Sequence, residues 1–171
     1  MLAGLTVHAA LAADAGELRS PRRILLVVGA ALAPDVDLLF RFVDGRNHHN
    51  NETHSLGLAI LVAALTLVVC RLWRRTRPFH LTALMGAAWA SHVLLDYLNA
   101  DTNPPIGIMA LWPWSDRYYK FPWPILLDIG RTLDWVTVRK NALAAAWEAA
   151  LLGPLAYVVW RFRSRRAHAG S

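Results

Sequence analysis

The sequence predicts an all-α fold: a polytopic membrane helical bundle of about four long helices preceded by a short N-terminal helix. Three observations predict it. The 171 residues are 56% hydrophobic and only 18% charged, whereas a soluble domain carries roughly a quarter charged residues. Four apolar runs follow one another at lengths near those of spanning helices, which need about 20 residues (range about 17 to 25). Arginines bracket these runs where a soluble protein would place turns of mixed sign. The length allows a single membrane-embedded domain, residues 1–171. It carries an extramembrane loop rich in aromatics and proline at 99–140, and a basic C-terminal tail at 161–171.

Residues 1–13 are apolar and rich in small side chains, but no basic stretch precedes the apolar part. They read as a retained short helix rather than a cleaved signal. The first long segment, 24–40, is apolar up to Pro34-Asp35-Val36-Asp37. The second, 55–73, opens with 16 uncharged residues. The third, 81–98, is interrupted only by His92 and Asp96, and the fourth, 142–160, only by Glu148. A soluble bundle with buried helices competes with this reading, since the runs are at the short end for spanning; the flanking arginines decide against it. Cys70 stands alone within an apolar run, which excludes an intrachain disulfide and a thiolate metal cage. The net charge of +6 comes from helix flanks rather than a continuous basic stripe, so nucleic acid is not an expected partner.

Charge asymmetry sets an orientation. Arg19, Arg22, Arg23, Arg71, Arg74, Arg75, Arg77, Arg161, Arg163, Arg165 and Arg166 fall on one side with two acidic residues, Asp14 and Glu17. Arg41, Arg46, Arg117, Lys120, Arg131, Arg139 and Lys140 fall on the other with the remaining ten. The positive-inside rule makes the arginine-rich side cytoplasmic, with the N-terminus outside and the C-terminus inside. The loop 99–140 then lies outside. Its prolines forbid a regular helix, and its Trp and Tyr residues suit the headgroup zone, either as an anchor or as a lid over a lipid-facing site.

On this topology Asp35 and Asp37, then His48, His49 and His54, then His92 and Asp96 all reach the outer face from segments distant in sequence. An Asp at a helix centre in the bilayer costs roughly 2.5 to 3.5 kcal/mol by insertion scales, and a divalent cation that accepts imidazole and carboxylate compensates it. His92 and Asp96, four apart, project from one helix face. Asp35 and Asp37 follow a proline where a helix end can turn both inward. His49 and His54 flank a loop leading into the second helix, with Thr53 as a candidate N-cap. Each element alone has a plainer reading, as a bonded pair, a turn or solvated histidines; their convergence on one face favours a metal site. Histidine and carboxylate without cysteine suit a catalytic zinc, with manganese or magnesium as alternatives, better than a structural zinc. His80 and His168 fall on the arginine side, as interfacial or tail residues. His8 lies partway into the membrane and either approaches the cluster or bonds to a neighbouring helix.

The strings Thr6-Val7-His8, Pro34-Asp35-Val36-Asp37, His49 with Thr53-His54-Ser55, Ser91-His92-Val93-Leu94-Leu95-Asp96, and Gly107 through Leu111-Trp112-Pro113-Trp114-Ser115 occur in this order. In this the chain resembles the bacterial inner-membrane metal-dependent hydrolases of the YdjM/YbcI type. The resemblance runs to about Lys120, and the last helix matches only in being apolar. Asn50-Asn51 stands where the family often has Arg-Gly. Asn99, with Thr102 later, stands where a threonine commonly follows the helix aspartate. The resemblance implies a multi-pass inner-membrane hydrolase with His8, Asp35, Asp37, His49, His54, His92 and Asp96 as metal ligands. Seven are too many for one tetrahedral zinc, so either two metals or a mixture of ligands and supporting residues is expected.

The expected activity is metal-dependent hydrolysis of an ester or phosphoester of a lipid or membrane-associated substrate. Glu52 is the candidate general base, and Arg117 the candidate for stabilising an anionic substrate. The expected partners are the lipid bilayer, a divalent metal and that substrate. A metal-ion or proton transporter, or a non-catalytic metal-binding membrane protein, is the alternative. A transport path should cross the bilayer, yet the inner halves of the long helices are nearly free of ionisable groups.

Overall fold

The computed structural model describes residues 1–40, 43, 45, 48–132 and 134–169, the side chains of 167–169 excepted. Arg41 and Arg46, counted above with the outer charges, lie outside the described residues. The chain forms α1 (Leu2–Leu11), α2 (Ala15–Leu18), α3 (Pro21–Leu32), α4 (Leu56–Leu72), α5 (Pro78–Tyr97) and α6 (Trp135–Ala169). Two 3-10 segments, Ala33–Leu39 and Glu52–His54, complete the regular structure. No strand occurs among the described residues. Only two isolated bridges do, Asn99 with Leu126 and Ile108 with Tyr119.

Local chemistry sets most boundaries. The Asp14 side chain accepts from Glu17 N at the start of α2, and Ser20 caps α3 ahead of Pro21, whose missing N–H costs nothing at a first turn. The segment expected as one helix, 24–40, is two pieces. Pro34 has no N–H to give and its ring crowds the carbonyl one turn back, so the α-helix stops at Leu32 and the backbone tightens into a 3-10 path. At the start of α4 the cap is Ser55, which accepts from Leu58 N at 3.1 Å. The expected cap, Thr53, lies in the preceding 3-10 turn and serves the site instead. The basic stretch expected as a tail continues α6 as helix to Ala169.

The elements pack through small side chains. α1 lies against α3, α5 and α6, and α5 lies between α3 and α4. Val27, Ala30, Ala31, Leu84 and Ala88 form one buried cluster, with Val7 and Met85 against it. A Cβ on Gly4 would lie 2.9 Å from the Ala31 Cβ, so glycine sets the approach of α1 to α3. Ala9, Ala12 and Leu18 form a second cluster against Val159 and Trp160 of α6.

Charge separates between the two ends of the bundle. At one end Arg77 bonds Asp14 at 3.1 Å, Glu17 meets His80 at 2.7 Å and Arg23 at 3.6 Å, and Arg163 donates to the Ala12 carbonyl. At the other end the last turns of α3 and α5 and the start of α4 meet the loop 98–134. Among the described residues α6 is the one helix both long and apolar enough to cross a membrane. Only 6% of its most apolar stretch is buried inside the protein, as suits a helix covered by hydrocarbon. α4 is apolar but shorter, at 17 residues. Of the four long spanning helices expected, one qualifies by length and hydropathy among the described residues.

Candidate metal centre

Four side chains from three elements aim at one point. Asp35 comes from the 3-10 segment after α3, His54 from the turn before α4, and His92 and Asp96 from the last turns of α5. His54 Nε2 lies 3.2 Å from His92 Nε2, 3.0 Å from Asp96 Oδ2 and 3.6 Å from Asp35 Oδ1. His92 Nε2 lies 3.1 Å from Asp96 Oδ2 and 3.3 Å from Asp35 Oδ1. Ligand atoms held about 2.0 Å from a tetrahedral zinc stand about 3.3 Å from one another. The His54–His92–Asp96 triangle has edges close to that length, and Asp35 adjoins its two histidines at 3.6 and 3.3 Å.

Hydrogen bonding accounts for only part of this packing, through the contact between the two Nε2 atoms. Asp96 Oδ2 is buried and accepts no hydrogen bond, although both Nε2 atoms approach it. The far nitrogens explain why. His92 Nδ1 donates to the Ala31 carbonyl at 2.8 Å, which leaves its Nε2 lone pair facing the cluster. His54 Nδ1 is engaged on its outer side by Asp37 Oδ2 at 3.1 Å and Thr53 Oγ1 at 3.0 Å. Imidazole nitrogens and carboxylate charge therefore converge where positive charge is called for. A divalent cation satisfies that arrangement, and the donor set fits it.

Asp37 has a different task from the one its spacing suggested. It is buried, with one oxygen 3.0 Å from His49 Nδ1 and the other accepting from Thr53 Oγ1 at 2.6 Å beside His54 Nδ1. It orients two imidazoles from behind, as carboxylates do for metal-binding histidines. Its position before the cluster, rather than in it, resolves part of the excess of candidate ligands. His49 has a donor atom within 4.8 Å of donors on Asp35 and His54, so a second group, Asp35–His49–His54, shares His54 with the first. The Trp89 indole N–H donates to the Thr53 carbonyl at 2.9 Å and ties this turn to α5.

The electrostatics of His54 show how strongly the cluster calls for positive charge. Burial pushes its pKa down, but the carboxylates of Asp35, Asp37 and Asp96 outweigh that and carry it up to about 11. Without a metal, a proton on His54 takes the cation's place.

Three expected residues are elsewhere. His8 is fully buried, but its Nε2 donates to the Leu18 carbonyl at 3.1 Å. It lies about 10 Å along the helix axis from Met1, the residue preceding α1, which borders the cluster's cavity. Of its two sequence readings, the bond to a neighbouring helix is the one realised. Glu52 is exposed at the start of its 3-10 turn, and Arg117 is exposed near the Ile108–Tyr119 bridge; neither lines the cavity.

That cavity holds about 810 Å³ and opens beside the cluster. Asp35, His49, His92 and Asp96 line it together with Leu126, Leu127, Ile129 and Arg131 of the loop and Glu148 of α6. The loop reaches it through defined contacts. Asn50, at φ 70°, a value asparagine tolerates, donates its side-chain N–H to Asp101 Oδ2 at 3.1 Å, and its carbonyl accepts from Met109 N at 2.9 Å. Gly107, at φ 93°, donates to the same carboxylate oxygen at 3.0 Å.

A family model, the YdjM inner membrane protein, matches residues 1–168. The chain belongs to that family. Membership places it in the inner membrane, in agreement with the exposed apolar length of α6. The inner membrane protein YbcI of Escherichia coli strain K12 is 32% identical over 110 residues. The aligned part covers 62% of this chain and 62% of that relative's length. No solved structure matches the chain.

Several residues of the site had no signature in the sequence. Thr53 is the clearest, since an ordinary cap position turns out to hold Asp37. Arg131 and Glu148 are the others; Glu148 stood out only as the one charge in an apolar run. Nothing in the spacing of Arg131 set it apart from the other outer basic residues.

Proposed function

We propose that this chain is a multi-pass inner-membrane hydrolase that uses a divalent metal, zinc first, to cleave an ester or phosphoester at the outer leaflet. The observation that carries the reading is the convergence of His54, His92 and Asp96, three protein donors that leave a coordination position for water, with Asp35 adjoining them, beside a cavity large enough for a small substrate. The distribution of arginines supports the orientation, because Arg19, Arg22, Arg23, Arg74, Arg75 and Arg77 flank helix ends remote from that cavity.

A metal held by these residues supplies Lewis acidity and lowers the pKa of water towards neutrality. The protein's own groups do the rest. Asp37 and Thr53 fix the ring of His54, and the Ala31 carbonyl fixes that of His92, so both present Nε2 without reorganisation. Hydrolysis adds water across one bond: its oxygen joins phosphorus or the acyl carbon, and the alcohol leaves with a proton. Glu148 takes over the proton-moving role first assigned to Glu52. It lines the cavity, has no ionic partner among the described residues, and is an ionisable group in an otherwise apolar helix.

Purified protein assayed for bound metal, then for hydrolysis of generic phosphoesters and carboxyl esters with and without chelator, tests this. Chelator-sensitive turnover is expected. Stoichiometric metal with no turnover, together with metal-ion flux into liposomes, would instead make the site a transport site.

A further inference from the structure

The cavity beside the metal cluster also carries a guanidinium that the fold does not need. Arg131 lines the cavity with its side chain 19% exposed, and its one partner among the described residues is Asp101, at a loose 3.7 Å. Asp101 is already satisfied. Its Oδ2 accepts from Asn50 Nδ2 at 3.1 Å and Gly107 N at 3.0 Å, and its Oδ1 from Asn103 N at 3.0 Å. Asp128, another carboxylate lining the cavity, is held by Lys140 at 2.6 Å and by the Thr102 hydroxyl at 2.6 Å. Neither aspartate depends on Arg131, whose five N–H donors are arranged to grip a tetrahedral oxyanion in two places at once. Glu148, on α6, is the remaining acidic group there outside the metal cluster.

Beside Arg131 the lining is aliphatic: Leu126, Leu127 and Ile129 from the loop, and Leu32 and Leu38 from the end of α3 and its 3-10 extension. Leu32, Leu38, Leu127 and Ile129 are also 41 to 48% exposed, so apolar side chains line part of the way out of the cavity. A polar headgroup inside and a hydrocarbon chain leaving along such a path suit one class of molecule.

The geometry points to Arg131 as the anion-binding arm of the site, and to an amphiphilic phosphoester as the substrate class. Its phosphate sits between Arg131 and the metal cluster, and its chain runs over Leu127 and Ile129. This rests on the hydrolase reading for what becomes of the bound molecule, but the binding claim is separable from it. The full chain, purified in one uncharged detergent, is titrated calorimetrically with dodecyl phosphate, dodecyltrimethylammonium and inorganic phosphate, both zinc-loaded and after chelation.

Dodecyl phosphate is expected to bind well above the other two probes in both metal states. Arg131→Gln should weaken it by about tenfold or more, and Arg131→Lys by less. Leu127→Gln should weaken dodecyl phosphate while leaving inorganic phosphate unchanged. Zinc content should stay at the wild-type value in all three variants, which also shows that they fold. Equal binding of dodecyl phosphate by wild type and Arg131→Gln would overturn the assignment. Inorganic phosphate binding as tightly as dodecyl phosphate would overturn the amphiphile. Loss of zinc from wild type, with Arg131-dependent binding intact, would remove the hydrolase reading and leave the anion site standing.

Discussion

His54 and His92 approach each other nitrogen to nitrogen, Nε2 to Nε2 at 3.2 Å, although 38 residues separate them. His92 has committed its Nδ1 hydrogen to the Ala31 carbonyl, and His54 has Asp37 and Thr53 behind it. Two imidazoles held this way by their far sides, with a buried carboxylate oxygen at 3.0 and 3.1 Å, present a cation with its ligands already in place.

Removing one of those ligands should empty the centre. His92→Ala and Asp96→Asn are each expected to reduce bound zinc from about one equivalent to a small fraction, read by mass spectrometry of the purified protein. Gel filtration in detergent should still show an unaggregated chain. A variant that keeps full zinc occupancy would place the ligands elsewhere.

Asp37→Asn removes no ligand but weakens the grip on His49 and His54. Replacing such a supporting carboxylate typically costs about 10- to 100-fold in metal affinity. Competition with a fluorescent chelator should show a loss in that range, larger than that of Thr53→Val, which removes the hydroxyl bonded to Asp37 and His54 but keeps the carboxylate.

Glu148→Gln separates binding from turnover. Zinc content should match wild type while chelator-sensitive hydrolysis falls by about 100-fold or more, the span that positioned proton transfer contributes. Unchanged turnover would return the proton role to another group.

The loop 98–134 depends on a glycine. A Cβ on Gly57 would meet the Trp112 carbonyl oxygen at 2.1 Å and Pro113 Cδ at 2.6 Å, next to the bond from Leu56 N to the Ala110 carbonyl. Gly57→Ala should destabilise the protein by about 1 to 3 kcal/mol, as forced overpacking does, and lower its melting temperature in detergent.

At the arginine-rich end, burial raises the carboxyl pKa of Glu17, but the Ala13 N–H, His80 and Arg23 outweigh it and hold the group below 4.5. A lowered folded-state pKa means that the stabilisation is complete above 4.5 and fades as pH falls through the folded-state value. Between pH 7 and pH 3 the melting temperature of wild type should fall further than that of Glu17→Gln. The two curves should converge at the acid end.

Much of the site was legible because its chemistry is conspicuous against an apolar background. His92 and Asp96 are costly in a membrane helix, their spacing of four fixes a shared face, and Pro34 announces a helix end beside two aspartates. What could not be read was direction beyond the helix. Asp35 and Asp37 stand two residues apart in the same 3-10 segment, yet one faces the cluster and the other faces the backs of two histidines. His8 is buried like a ligand, but the short α2 folds the Leu18 carbonyl onto it, and no periodicity foretold α2. Glu52 and Arg117 were chosen for charge near the motifs; turn geometry sends both to solvent, while Glu148 and Arg131, far away in sequence, line the cavity.

X-ray absorption at the zinc edge of the purified wild-type chain is the most direct measurement of the centre. The proposed metal centre predicts about one zinc per chain in a four-coordinate shell of nitrogen and oxygen at about 2.0 Å, with the multiple-scattering signature of two imidazoles and no sulfur. Protein purified with zinc supplied that carries none, or carries it in a water-only shell, would contradict a metal centre built from Asp35, His54, His92 and Asp96.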